Sequence, residues 1–318
     1  MNHYLVADIG GTNARLGLVT TEGNEVFGIE RMSNKDYPRL LDVINDYLGK
    51  AQCIVQPRKA CFAVASPVAG DAIRFTNNSW SFSIAELKGH LGLDFLKVIN
   101  DFEAVARSIP YLGEREVFQV GEGKGLAHHP IAVLGPGTGL GMAALIPAHP
   151  KAIPLATEGG HASFAALDEF EDFMLRRLRE KIGFVSNEDL LSGNGLVNIF
   201  ESVCAFHQSA RAPLDAATIS EQAVHGKDPL CQEALERFCA ILGAVAGDYA
   251  LQVGAQGGVY IAGGIVPRFP EFVAKSRFRE RFLRKGRFEG YLAAIPTYLV
   301  VAPQPGLIGA ASVFDEDR

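Results

Sequence analysis

Apolar positions along the chain alternate between short continuous runs that stop at glycine and longer stretches with helical spacing. Leu5-Val6-Ala7-Asp8-Ile9, Cys61-Phe62-Ala63-Val64-Ala65, Leu96-Lys97-Val98-Ile99, Ile131-Ala132-Val133-Leu134, Val259-Tyr260-Ile261-Ala262 and Thr297-Tyr298-Leu299-Val300-Val301 are runs of strand length. The run at 61–65 is apolar throughout, as expected of a strand covered on both faces. Further strands are expected over 24–30 and 72–76, and Ile153-Pro154-Leu155-Ala156-Thr157 leads into Glu158. Asp36-Tyr37-Pro38 reads as the start of a helix that buries Leu40, Leu41, Ile44, Tyr47 and Leu48 and closes at Gly49. Ser83-Ile84-Ala85-Glu86 has the spacing of a capping box. Residues 168–182 predict a helix with acids first, Arg177, Arg179 and Lys181 last, and Gly183 as cap, an order that complements the macrodipole. The longest helix is expected over 229–253, with Asp228 as N-cap and Gly254 after it. Its stripe runs through Cys231, Leu235, Phe238, Leu242, Val245, Tyr249 and Val253, while Gly243 and Gly247 leave room for another backbone. Residues 306–313 predict a last short helix, and 110–130, with Pro110, Gly113, Gly121, Gly123, Gly125 and Pro130, read as a linker near a domain boundary.

Two of these runs share one shape: strand, glycine turn with threonine, strand. Gly135-Pro136-Gly137-Thr138-Gly139-Leu140-Gly141 follows one strand, and Asp8-Ile9-Gly10-Gly11-Thr12-Asn13 follows another. A glycine turn of this kind is either an ordinary hairpin or an anion cradle, in which φ > 0 turns N–H groups onto a phosphate and threonine adds a hydroxyl donor. A third strand ends in Gly263-Gly264.

Composition narrows the choice. With 318 residues, 48% hydrophobic and 21% charged, the chain is globular and long enough for two domains. A net charge of −6 gives no basic footprint for nucleic acid, so small molecules are the expected partners. The five cysteines, Cys53, Cys61, Cys204, Cys231 and Cys239, are widely spaced without a CxxC pair, which suits buried thiols in a reducing compartment. Gly, Pro or charge breaks every apolar stretch before membrane-spanning length, and no signal peptide is expected before Asp8. A cytoplasmic location follows as an expectation.

Known nucleotide templates fail. No GxxxxGK[ST] occurs, and neither glycine turn has GxGxxG spacing ahead of a helix. Asn100-Asp101 follows a strand, where it reads as a turn or cap, or as a carboxylate placed where α/β sheets gather ligands. Glu158-Gly159-Gly160-His161 has the Glu-x-x-His spacing of di-metal proteins, but its glycines oppose the required helix and no second copy appears. Carboxylate and imidazole are also suited to the ring hydroxyls of a sugar.

Asp-x-Gly-Gly-Thr-Asn, a second Gly-x-Gly-Thr-Gly turn and a late strand ending Ala-Gly-Gly together resemble the sugar-kinase, Hsc70 and actin superfamily. Six blocks in order, 8–16, 98–102, 137–141, 158–161, 191–198 and 261–268, resemble the bacterial ATP-dependent glucokinases of the Gram-negative type over nearly the whole chain. The resemblance implies an α/β fold of two domains with related ribonuclease H-like (actin-like ATPase) topology and a cleft between them. A small domain, 1–109 with 301–318, would carry the first phosphate turn and the catalytic Asp. A larger one, 110–300, would carry the second turn, the adenosine motif and sugar contacts. It further implies glucose and ATP as substrates, Mg²⁺, a homodimer and the product glucose 6-phosphate. By residue, it assigns Ala7, Asp8, Ile9, Gly10, Gly11, Thr12, Asn13, Gly137, Thr138 and Gly139 to ATP, and Gly263 and Gly264 to its adenosine. Asp8 is assigned to Mg²⁺ through water, Asn100, Glu158, His161 and Glu188 to glucose, and Asp101 to the base that takes the 6-hydroxyl proton. A kinase for another hexose, or a non-catalytic sugar or nucleotide sensor, would use the same scaffold. Zinc-containing sugar kinases and sugar-sensing repressors carry a cysteine cluster after the Glu-x-Gly-His region, and the repressors add an N-terminal helix-turn-helix. This chain has no cysteine between Cys61 and Cys204 and opens on its first strand.

Overall fold

The computed structural model describes residues 3–20, 25–51, 56–75 and 79–317. Asn24, Thr76 and Cys53, named above, lie outside them. The chain divides into two units, residues 1–113 with 302–318 and residues 114–301.

The first unit is built on a five-stranded sheet. β1 (His3–Ile9) and β2 (Asn13–Thr20) form a hairpin, followed by β3 (Val26–Ser33) and α1 (Leu40–Lys50). β4 (Lys59–Val64), the small ribbon β5 (Ala72–Arg74) and β6 (Ser81–Ser83), α2 (Ile84–His90), β7 (Phe95–Asn100) and α3 (Asp101–Ser108) complete the N-terminal part. Sheet order is β3-β2-β1-β4-β7, with β1, β4 and β7 mutually parallel. Alternation decides which face each side chain enters. Leu5, Ala7, Ile9, Phe62 and Val64 pack with α1 on one face, and Val6, Cys61, Ala63 and Ile99 face the other. That double burial accounts for the unbroken apolar run at 61–64. The N-cap half of the capping box is formed: Ser83 Oγ accepts the Glu86 N–H at 3.1 Å.

The second unit starts with β8 (Val117–Val120), then β9 (Ile131–Pro136), β10 (Leu140–Ile146) and β11 (Ile153–Thr157). Helices α4 (Glu169–Ile182), α5 (Gly193–Phe206), α6 (Ala216–Val224) and α7 (Pro229–Val253) follow. β12 (Gly258–Ile261), α8 (Pro270–Lys275), α9 (Phe278–Leu283), α10 (Glu289–Ala293) and β13 (Thr297–Val300) close the unit. Its sheet runs β11-β10-β9-β12-β13-β8. The five strands from β11 to β13 repeat the order and direction of the first sheet: two successive antiparallel pairings on one side of the first strand, parallel pairings on the other. α7 lies over one core with α4, α5 and α6, and has the expected ends: Asp228 caps Leu230 and Cys231, and Gly254 is left-handed at φ 65°. Gly243 and Gly247 admit α9, since a Cβ on them would stand 2.0 Å from Phe278 O and 2.5 Å from Phe282 O. The chain then returns to the first unit as α11 (Pro305–Ala311), which covers the Val6 face with Leu307, Ala310 and Ala311.

Three expectations are corrected. The helix after Pro38 begins at Leu40 and runs through Gly49 to Lys50. Tyr37, which precedes a proline, is held extended at φ −133° and cannot lead a helix. The stretch 110–130 is not all linker, because β8 lies within it and pairs antiparallel with β13. The third strand runs from Val26 to Ser33, beyond Glu30, because β2 continues to pair it as far as Asn13↔Ser33.

Candidate active site

Within the first unit, parallel register brings the key segments to one edge of the sheet. Ile9 aligns with Val64 and Val64 with Asn100, so the turn after β1 and the Asn100–Asp101 corner leave at the same carboxyl ends. They are two strands apart, on the order of 10 Å. Ala7 and Ile9 point into the Leu5 core and act as its floor. Asp8 points to the other side, where Arg15, its partner across the hairpin, donates to Oδ2 at 3.1 Å. Burial pushes the Asp8 carboxyl above the usual carboxylate range, and Arg15 opposes that shift by charge and hydrogen bond. The turn itself is closed by the Gly10 N–H donating to Asn13 O at 3.0 Å, with Thr12 exposed at its tip.

Asn100 does double work. Its Oδ1 caps α3 by accepting from the N–H groups of Phe102 (2.9 Å) and Glu103 (3.1 Å). Its amide nitrogen is thereby turned away from the helix, where it donates to Ser66 O at 3.5 Å and keeps a second N–H for a ligand hydroxyl. Asp101 is the first residue of α3, and its Oδ1 accepts the same Phe102 N–H at 2.9 Å.

Within the second unit, the other predicted residues form one hydrogen-bonded body. The turn of 137–139 joins β9 to β10, with Thr138 exposed. Glu158 and His161, both exposed, flank a single 3-10 turn, Gly159–His161, in which the His161 N–H donates to Glu158 O at 3.0 Å. Glu188 joins the two: its N–H donates to Gly160 O at 2.9 Å, and its Oε2 accepts the Leu140 N–H at 2.7 Å. The Gly193 N–H, at the start of α5, donates to Gly137 O at 2.9 Å. Gly263 and Gly264 leave β12 beside the same turn, and Gly263 at φ 89° lies where a Cβ would stand 2.4 Å from Pro136 O. Among the described residues no group of three or more His, Cys, Asp or Glu could hold a metal ion, Glu158 and His161 included.

The glycines of these turns do not work as expected. Gly10, Gly137 and Gly139 lie outside the positive-φ range that the cradle argument assumed. At Gly139 the need for glycine is steric, because a Cβ there would stand 2.3 Å from Glu188 Oε2. Sequence reasoning also missed Asn34, which lies below the first turn and bonds to it twice.

The glucokinase family model matches residues 5–317. A glucokinase of Pectobacterium atrosepticum is 47% identical over 313 residues, 98% of this chain and 97% of that protein. The crystal structure of a glucokinase from an Antarctic psychrotroph is 37% identical and superposes with a TM-score of 0.88 over 99% of both chains. A Streptomyces griseus glucokinase of the ROK family, solved with glucose and AMPPNP, is only 19% identical and shares the fold, with a TM-score of 0.70 over 99% of this chain and all of that one. Matched by the family model over almost its full length and 47% identical to a glucokinase over 98% of its residues, this chain belongs to the glucokinase family.

Proposed function

We propose that the chain performs its family's reaction, transfer of the γ-phosphoryl group of ATP to the 6-hydroxyl of glucose, with Asp101 as the base. The carrying observation is the register that sets Asp101 at the carboxyl end of β7, level with the phosphate turn that leaves β1. A sugar hydroxyl is a weak nucleophile, and phosphoryl transfer needs alignment, charge neutralisation and an acceptor for its proton. Asp101 accepts that proton and the Asn100 amide orients a neighbouring hydroxyl. Glu158, His161 and Glu188 hold the sugar ring. The turns at 10–13 and 137–139 take the nucleotide phosphates, Thr12 and Thr138 supply hydroxyl donors, and Gly263 and Gly264 line the adenosine. Ala7 and Ile9 fix the strand from which the first turn departs.

Asp8 suits a hydrated Mg²⁺. It offers a single carboxylate, with one oxygen engaged by Arg15, and no closed set of ligands surrounds it among the described residues. Such a donor fits a metal bound through water and phosphate oxygens. Bound there, the ion would offset the phosphate charge, and Asp8 would orient its water shell. The repeated strand order supports the ribonuclease H-like topology. The family resemblance also supports a cytoplasmic homodimer that feeds glycolysis.

Coupled detection of ADP over glucose, mannose, fructose, N-acetylglucosamine and no sugar tests the reaction. Release that glucose stimulates most supports it, whereas release indifferent to every sugar removes it. Asp101→Ala should lower kcat by orders of magnitude and leave glucose affinity within several-fold. Turnover at the wild-type rate would rule Asp101 out as the base.

A further inference from the structure

We infer that Asn34 is a positioning residue for ATP, holding the Gly10–Asn13 turn from below without touching the nucleotide. The inference rests on the proposal that this turn receives the phosphates. β3 pairs with β2 as far as Asn13↔Ser33, so the next residue, Asn34, arrives under the turn just as the ladder ends. There its backbone N–H donates to Thr12 O at 2.9 Å, and its side-chain Nδ2 donates to Gly10 O at 2.8 Å. Its own carbonyl accepts the Tyr37 N–H at 3.2 Å and ties it to the 3-10 turn of residues 34–36. The residue is 6% exposed.

Two carbonyls of a turn meant for an anion point away from the anion, into the protein, and each needs a donor there. Asn34 supplies both donors. With those oxygens fixed inward, the peptide planes of the turn are fixed as well, and their N–H edges face outward. Chemistry also settles which end of the amide is which. Reversing it would set Oδ1 against Gly10 O, two acceptors at hydrogen-bond distance, so the nitrogen must face the turn. Oδ1 then points elsewhere and is buried with no partner among the described residues. A phosphate oxygen, itself an acceptor, cannot satisfy it. Asn34 therefore acts through the turn, and water is the donor chemistry suited to its open oxygen.

The test compares Asn34→Ala, Asn34→Asp and Thr12→Val with the wild-type enzyme. Steady-state KM for ATP and for glucose is measured for each, together with the rise in Tm on adding MgATP or glucose separately. Loss of a buried hydrogen bond is worth roughly a tenfold change in an equilibrium constant, so Asn34→Ala should raise KM for ATP about tenfold. KM for glucose and the glucose-induced rise in Tm should stay within about twofold of wild type, the rise with MgATP should shrink, and kcat should fall less than KM rises. Asn34→Asp keeps the size but faces Gly10 O with an acceptor, and should be at least as impaired toward ATP. A purely structural role predicts a lower Tm with both KM values moved alike, and that result overturns the inference. If Thr12→Val weakens ATP use while both Asn34 variants handle ATP normally, the inference fails and the phosphate turn stands. If none of the three changes ATP use, the phosphate assignment fails and takes the inference with it.

Discussion

Asp8 lies between two opposed influences. Burial raises its carboxyl above the usual range, and the Arg15 guanidinium 3.1 Å away pulls it back. Only the ionised carboxylate orients a hydrated cation, so activity at limiting MgATP should fall as pH drops through the Asp8 titration. Removing Arg15 leaves burial unopposed and raises the carboxyl further. Arg15→Met should therefore move the acid limb of kcat/KM for MgATP to higher pH, and an unmoved limb in pH-rate profiles would contradict the pairing argument. At this scale the sequence disclosed residue types and missed atoms. The resemblance proposed Glu158, His161 and Glu188, but that Glu188 spends Oε2 on the Leu140 N–H depends on a partner 48 positions away. A similar separation hid the reason for Gly139, which makes room for that carboxylate. Asn34 left no signal, since its value comes entirely from arriving beneath residues 10–12 when β3 ends.

Elements were legible where a pattern repeats long enough. α7 offers seven turns of spaced apolar residues between an Asp cap and a glycine stop, and its observed bounds match that pattern. β8 has four residues with two half-buried and one exposed, and only its pairing with β13 makes it a strand. The start of α1 was obscured because proline suits a first helical turn in general, while here Tyr37 and Arg39 on either side of it are both extended. Glycine inside a helix gives a prediction of opposite signs. A Cβ at Gly243 in α7 would stand 2.0 Å from Phe278 O, a backbone atom that moves only if α9 moves. Overpacking of that kind costs about 1–3 kcal/mol, against a gain of at most ~1 kcal/mol in helix propensity. At Gly49 in α1 nothing lies within 4 Å, so propensity acts alone. Thermal melting should show Gly243→Ala less stable and Gly49→Ala slightly more stable than wild type. Equal shifts would mean that the close approach of α9 to α7 carries no cost.

At the scale of the molecule, the recurrence of strand, glycine turn and strand was visible in the sequence, whereas the matching order of the two sheets was implied only by the family resemblance and not by the apolar pattern. That order depends on which distant strands pair, and apolar runs of similar composition do not encode partners. The return of the chain after residue 301 shows what depends on such pairing. One face of the first sheet, with Val6, Val19, Cys61, Ala63 and Ile99, is covered by Leu307, Ala310, Ala311, Val313 and Phe314 from the C-terminal segment. α11 packs backbone to backbone on α3, where a Cβ at Gly309 would stand 1.6 Å from Ala104 O. Burying Leu307, Val313 and Phe314 contributes about 5 to 9 kcal/mol, comparable with the ~5–15 kcal/mol that holds a whole domain folded. The second unit keeps its own core, in which none of these residues takes part. A chain ending at Val301 should therefore lose hydrogen-exchange protection in β1 and β4 while β9, β12 and α7 retain theirs. Activity should vanish with β1 and β4, since the Asp8 turn and the Asn100–Asp101 corner are held in register through those strands. Unchanged protection in β1 and β4 would show that the first sheet stands without its C-terminal cover, and loss throughout the second unit would show that the two cores unfold as one.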